Sequence, residues 1–353
     1  MIVTDVEQLT EPVAVLELRE SASVLCSPEP VVVRLAPDRP VAADAIRRAQ
    51  ATLRELPTVT VLIGGPTGST ADLADVVDVC LTDEPDPPRP WVRGPVERVA
   101  EAVASQPEAA VALVGLLRTT EALPVWAATS AEAATYGMLL GSRAFRAWLD
   151  RRGAPRPKPH VGEPVLVQRR GDTLAVVLNR PEARNAFDSA LRDGLVAAFR
   201  QAVADPGITE VRLSGKGPCF SSGGDLHEFG SSDPAVTYAV RLTCHPGLAL
   251  AEVADRVTAV VHGSCIGAGV EVPAFAGAVV ADPDTTFRLP EVGMGLVPGA
   301  GGTVSIPRRI GRQRAAWLAL TGATIDAPTA RDWGLVDHVT AAAGVGAGLP
   351  WEP

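Results

Sequence analysis

Between His262 and Thr303 the chain sets two carboxylates, Glu271 and Glu291, in a glycine-rich and otherwise apolar neighbourhood. Gly267-Ala268-Gly269 stands just ahead of the first, and Gly299-Ala300-Gly301-Gly302 follows the second. A glycine-rich turn entering a helix presents backbone N–H groups with no side chain in the way. Helped by the helix N-terminus, such donors hold an anionic oxygen, and two aimed at one point make an oxyanion hole. A carboxylate in apolar surroundings has a raised pKa and exchanges protons near neutral pH, and a pair divides acid and base roles. A lone Gly-x-Gly is more often a tight turn, and a lone glutamate more often solvated or capping. The catalytic reading therefore needs a second donor loop.

That loop is Gly217-Pro-Cys-Phe-Ser-Ser-Gly-Gly-Asp-Leu-His-Glu-Phe229, placed after a strand-like run over 209–213. With the later motifs it resembles the crotonase (enoyl-CoA hydratase/isomerase) superfamily over about 174–339. Residues 179–187, Asn-Arg-Pro-Glu-Ala-Arg-Asn-Ala-Phe, look like the family's opening strand and turn. Ser222-Gly223-Gly224-Asp225 looks like its first oxyanion motif, and Gly267-Ala268-Gly269-Val270-Glu271 like its second. Pro290-Glu291 through Thr303 looks like its second catalytic segment. Gly322, Ala330 and Gly334-Leu335-Val336 match its closing pattern. The resemblance implies an α/β fold: a ββα spiral core with a helical region and a second, smaller α/β N-terminal domain.

It also implies an acyl-CoA thioester substrate, with the backbone N–H groups of Gly224 and Ala268 as oxyanion donors. Glu271 would activate water at the β-carbon and Glu291 would exchange the α-proton. Ser222, Gly223, Asp225, Gly267 and Gly269 would build the binding loops. Asp225 would order the first loop, Phe229, Tyr238 and His245 surround the acyl pocket, and Arg184 would meet a CoA phosphate. Each of these aromatic residues also reads as plain packing, and Arg184 as a solvated surface side chain. Two acids favour hydration or its reverse. The alternatives are double-bond isomerisation and a non-catalytic CoA-binding subunit paired with another crotonase. No cofactor is implied beyond the CoA of the substrate, and the family habit is a trimer or a pair of trimers.

The remaining sequence bounds these readings. A net charge of −9 over 353 residues argues against nucleic acid as a partner. The five cysteines (Cys26, Cys80, Cys219, Cys244, Cys265) form no Cys-x-x-Cys pair, so neither a disulfide framework nor a metal site is expected, and reduced thiols in a cytoplasm are. No basic leader opens the chain, and no apolar run is long enough to span a membrane.

Apolar patterning predicts strands over 30–35 and 58–63 around a helix over 41–56, and the same order over 173–178, 189–204 and 209–213. This is either an internal repeat or two unrelated β-α-β units. The first copy lacks the double glycine and the glutamates, so residues 1–153 read as a degenerate crotonase-like region. It ends in helices over 96–104, 107–122 and 128–152, after a loop over 82–95. Those helices resemble the tail that normally closes a crotonase, which implies that they serve the catalytic half in cis or from a neighbouring subunit. A proline-rich linker over 154–164, a catalytic domain over 165–340 and a flexible tail over 341–353 complete the expected organisation.

Overall fold

The computed structural model describes residues 1–23, 28–35, 41–153 and 162–340; most of the expected linker and all of the expected tail lie outside the described residues. The fold is mixed α/β. The first region runs β1 (Ile2–Thr4), α1 (Pro12–Ser21), β2 (Val31–Arg34), α2 (Ala43–Glu55), β3 (Thr60–Ile63), α3 (Gly68–Ala74), β4 (Val79–Thr82) and β5 (Val92–Arg93). Its five strands lie in chain order, every neighbouring pair parallel. Each crossover therefore advances by one strand. Side chains alternate between faces. Val31, Val33, Leu62 and Cys80 pack among residues of α1, α2 and α3, whereas Val32, Val61, Val79 and Leu81 join the main core. In α2 the buried residues Ile46, Ala49 and Leu53 follow helical spacing, so one stripe seals the outer face.

Four helices follow: α4 (Val96–Ser105), α5 (Pro107–Thr120), α6 (Val125–Leu140) and α7 (Arg143–Arg152). The single helix expected over 128–152 is two. Gly141 closes the first, and Ser142 opens the second by accepting the Phe145 N–H at 3.1 Å. The expected loop over 82–95 contains β5, a strand too short to read from its composition.

The later region runs β6 (Val165–Arg170), β7 (Thr173–Leu178), α8 (Ser189–Ala204), β8 (Glu210–Gly215), α9 (Pro234–Thr243), α10 (Pro246–Ala251), β9 (Val257–Val261), β10 (Ser264–Ile266) and α11 (Ala268–Glu271). It continues through β11 (Ala278–Ala281), β12 (Thr286–Arg288), α12 (Gly302–Ile310), α13 (Arg312–Thr321), β13 (Thr324–Asp326), α14 (Ala327–Trp333) and β14 (His338–Val339). One sheet has the order β14-β11-β9-β8-β7-β6, parallel except for the β6–β7 hairpin; a smaller sheet has the order β10-β12-β13. Each pass feeds both sheets, β9 then β10, and β11 then β12. This is the ββα spiral. It sets the β10–α11 turn and the loop before α12 side by side, where both glutamates lie.

Helices α4, α5 and α6 pack on α12 and α13 of the same chain, and α6 also packs on α9. One continuous core joins them to the spiral. The start of α13 also makes buried polar contacts with the segments on either side of β4. Arg312 donates to the Val77 and Asp75 carbonyls at 3.1 and 2.7 Å, and Gln313 donates to Ala74 at 2.9 Å. Arg314 donates to Trp91 and Pro87 at 3.2 and 2.9 Å.

Candidate active site

The first donor loop is held from below by Asn185, whose backbone adopts a left-handed conformation. Its amide donates to the Lys216, Cys219 and Phe220 carbonyls at 2.8, 3.1 and 3.0 Å, and its oxygen accepts the Arg180 N–H. Ser221 Oγ donates to the Asn185 carbonyl at 2.8 Å. Gly223 has φ +84°, and a Cβ there would lie 2.8 Å from the Ile266 carbonyl oxygen, so only glycine lets this loop rest on β10. Asp225 orders the exit: it accepts the His227 N–H at 3.0 Å and faces Arg180 at 3.4 Å.

The second loop enters α11. Gly267 has φ +50°, and a Cβ on it would stand 2.3 Å from Glu291 Oε1. The glycine thus lets Glu291 close on the turn. Gly269 packs against Ser221, locking the two loops together. Among the described residues, neither the Gly224 nor the Ala268 N–H makes a hydrogen bond, and both residues line one cavity.

Glu271 and Glu291 line the same cavity, only 2% and 9% exposed. Glu271 Oε2 accepts the Ala300 and Gly302 N–H groups at 2.6 and 2.8 Å. Its pKa stands well above the ordinary value, raised first by burial and then by the charges of Glu291 and Glu132, against the pull of those two N–H groups. Glu291 is pushed to about 7, chiefly by burial, and its Oε2 has no partner. Close carboxylates with raised pKa values share protons near neutrality as a unit.

Glu132 was not legible as a site residue. It sits on α6, 1% exposed, and its Oε1 accepts the Gly301 N–H at 2.7 Å. Its Oε2 accepts the Thr303 N–H and hydroxyl at 3.0 and 2.6 Å. Burial raises its pKa to about 7. The signal in the sequence was an acid with Tyr136 four residues on, on one face of an apolar helix. Tyr136 and Leu140 from α6 line the same cavity as the glutamates.

A second cavity is lined by Arg184, Ser222, Gly223 and Met294. The two volumes, about 180 and 410 Å³, share Gly224, Asp225, Phe229 and Glu291. Of the expected aromatic lining, Phe229 and His245 face the first cavity, whereas Tyr238 is 38% exposed and lies outside both. Among the described residues no cluster of metal-ligating side chains occurs, Cys80, Cys219, Cys244 and Cys265 are free thiols, and no single helix is long and apolar enough to cross a membrane.

The family model for enoyl-CoA hydratase/isomerase matches residues 169–347, so the chain belongs to that family. It is 36% identical over 177 residues to the 2,3-dehydroadipyl-CoA hydratase of Escherichia coli, covering 50% of this chain and 68% of that one. It is 34% identical to a mevalonyl-coenzyme A hydratase of Beauveria bassiana, covering 52% of this chain and 64% of that one. A solved enoyl-CoA hydratase of Thermoplasma volcanium is 32% identical, with a TM-score of 0.46, over 53% of this chain and 75% of that one. The chain thus spans about two thirds to three quarters of these relatives, and the matches fall in its later half.

Proposed function

We propose that the chain hydrates a 2-enoyl-CoA thioester, or runs the reverse dehydration. The thioester oxygen sits between the Gly224 and Ala268 N–H groups, which stabilise the enolate-like transition state. Glu271, oriented by the Ala300 and Gly302 N–H groups, takes a proton from the water that adds at the β-carbon. Glu291, held against Gly267, delivers a proton to the α-carbon. The cycle needs Glu271 ionised and Glu291 protonated. The Ala300 and Gly302 N–H groups draw Glu271 towards its ionised form against the burial that raises its pKa, and Glu291, pushed to about 7, holds a proton to give near neutral pH. The CoA moiety occupies the cavity beside Arg184, and the acyl chain the cavity beneath α9. The observation that carries this reading is the juxtaposition of two unengaged N–H groups and two buried carboxylates on one cavity. The names of the two curated relatives, both hydratases of CoA thioesters, support it.

The test is to incubate purified protein with 2-enoyl-CoA and 3-enoyl-CoA thioesters and follow products by mass and chromatography, alongside Glu271→Gln and Glu291→Gln. A gain of one water that disappears in both variants is expected. A shifted double bond with unchanged mass, lost mainly in one variant, would replace hydration by isomerisation.

A further inference from the structure

Two buried donors in the acyl cavity have nothing to donate to. His245 opens α10 by accepting the Leu248 N–H on Nδ1 at 3.3 Å, which places the ring proton of the neutral form on Nε2. That Nε2 is buried without a partner, and the residue is 5% exposed. Burial, with the Arg241 charge, lowers the ring's pKa to about 3, so it stays neutral. Arg241, on α9, also has a buried Nε with no partner. Its guanidinium lies over the Tyr136 ring at 4.0 Å, which fixes the cation's position.

Arg241 is hydrogen-bonded to the Tyr136 side chain, but the acidic groups around the cavity are paired elsewhere. Asp188 and Asp225 pair with Arg180, Glu228 accepts from Ser189, and Arg192 pairs with Asp193. Among the described residues no carboxylate lies within ion-pair distance of Arg241. Glu132, Glu271 and Glu291 all have raised pKa values, so near neutral pH they cancel only part of its field. An unpaired donor in a buried site costs stability unless an occupant satisfies it, and a fixed guanidinium beside a second N–H donor suits a carboxylate.

We propose that the acyl chain taken by this cavity is short and ends in a carboxylate, which binds Arg241 and the Nε2–H of His245. This rests on the acyl-CoA reading above and narrows its substrate class. The same pair discriminates against acyl chains ending in a methyl group, which leave both donors unsatisfied.

The experiment measures binding by calorimetry, so it does not depend on turnover. The probes are saturated CoA thioesters in matched pairs, hexanedioyl against hexanoyl and pentanedioyl against pentanoyl, tested on the wild-type chain, Arg241→Gln and His245→Asn. Asparagine keeps an acceptor at the start of α10. The expected result is binding of the diacid member of at least one pair tighter by about tenfold or more, the worth of a charged hydrogen bond. That ratio should collapse to within about threefold in Arg241→Gln and fall partway in His245→Asn. Equal wild-type affinity for both members of each pair would overturn the proposal and leave the acyl-CoA reading standing. So would an Arg241→Gln variant that weakens both members equally, since the arginine would then be structural. Failure of all four thioesters to bind would overturn both.

Discussion

Substituting Glu132 by glutamine tests whether a residue outside the family's own motifs sets the catalytic geometry. Its two oxygens accept three hydrogen bonds, from the Gly301 N–H, the Thr303 N–H and the Thr303 hydroxyl. A glutamine turns one oxygen into an NH₂ group that faces one of these donors. One buried backbone donor then loses its acceptor, at about 1–3 kcal/mol. At roughly 2–4 °C per kcal/mol, the midpoint of thermal unfolding falls by about 2–12 °C. The same turn carries the Ala300 and Gly302 N–H groups, which flank Gly301 and orient Glu271. Small displacements of an oriented catalytic group cost up to about 100-fold, so kcat should fall roughly 10- to 100-fold with little change in KM. A purely structural role would stop there. The charge on Glu132 also raises the pKa of both Glu271 and Glu291. Its removal lowers both, and the ionisation limb of the pH–kcat profile moves to lower pH. Rates from pH 5 to 9 with a 2-enoyl-CoA thioester, beside thermal unfolding, read all three effects. A Glu132→Gln protein with wild-type unfolding, kcat and pH profile would refute the chain of reasoning from α6 to Glu271.

Other consequences follow from the same geometry. Glu271→Gln and Glu291→Gln should each lower kcat by roughly 10²- to 10⁴-fold, the usual worth of a positioned acid or base, while acyl-CoA binding measured by calorimetry persists. Stability should fall as pH rises. Glu291 has its pKa raised to about 7 in the fold, so the native state holds a proton that the unfolded chain has released. Its contribution is fully present below about pH 4.3 and lost as pH climbs through 7, at most about 4 kcal/mol for this group. Urea unfolding at pH 5 and pH 8 should show a smaller loss in Glu291→Gln than in the wild type; equal losses would contradict the assignment. Gly267→Ala forces a side chain onto a left-handed backbone and into Glu291 Oε1, so activity should drop even where the protein still folds, as circular dichroism and the hydration assay together would show.

The spiral region was legible because its cues are local. Strand 173–178, helix 189–204 and strand 209–213 were expected within a residue or two of β7, α8 and β8. The glycine loops announced themselves because positive φ and close backbone approach at Gly223 and Gly267 admit no other residue. The first 23 residues carried no such cue. Strand β1 has three residues and is defined by its pairing with Val31, Val32 and Val33, a tertiary fact that no short window contains. Asn185 was visible in the opening motif, yet its task of gathering three carbonyls depends on loops some 31–35 residues away. Glu132 lies 169 residues before Gly301, so only the packing of α6 on α12 discloses it.

That packing also decides how the first region relates to the second. Helices α4, α5 and α6 precede the catalytic motifs in sequence and lie against α12 and α13 in the same chain. Chain order is immaterial to a site; what matters is which groups face it. From this direction come Glu132 for the Gly301 turn and Tyr136 for the acyl cavity. The five-stranded sheet beneath holds the helices in place: Arg118 on α5 donates to the Leu56 and Thr58 carbonyls and pairs with buried Asp78. Asp78 also faces Arg312 of α13 at 3.4 Å. Arg312, Gln313 and Arg314 are each at most 6% exposed and direct their donors into the first region. Without that region and the helices that follow it, two guanidinium groups and an amide lose their acceptors, and Gly301 and Thr303 lose Glu132. Interior donors without acceptors are costly, so the first region is an integral wall of the proposed active site rather than an appendage to it.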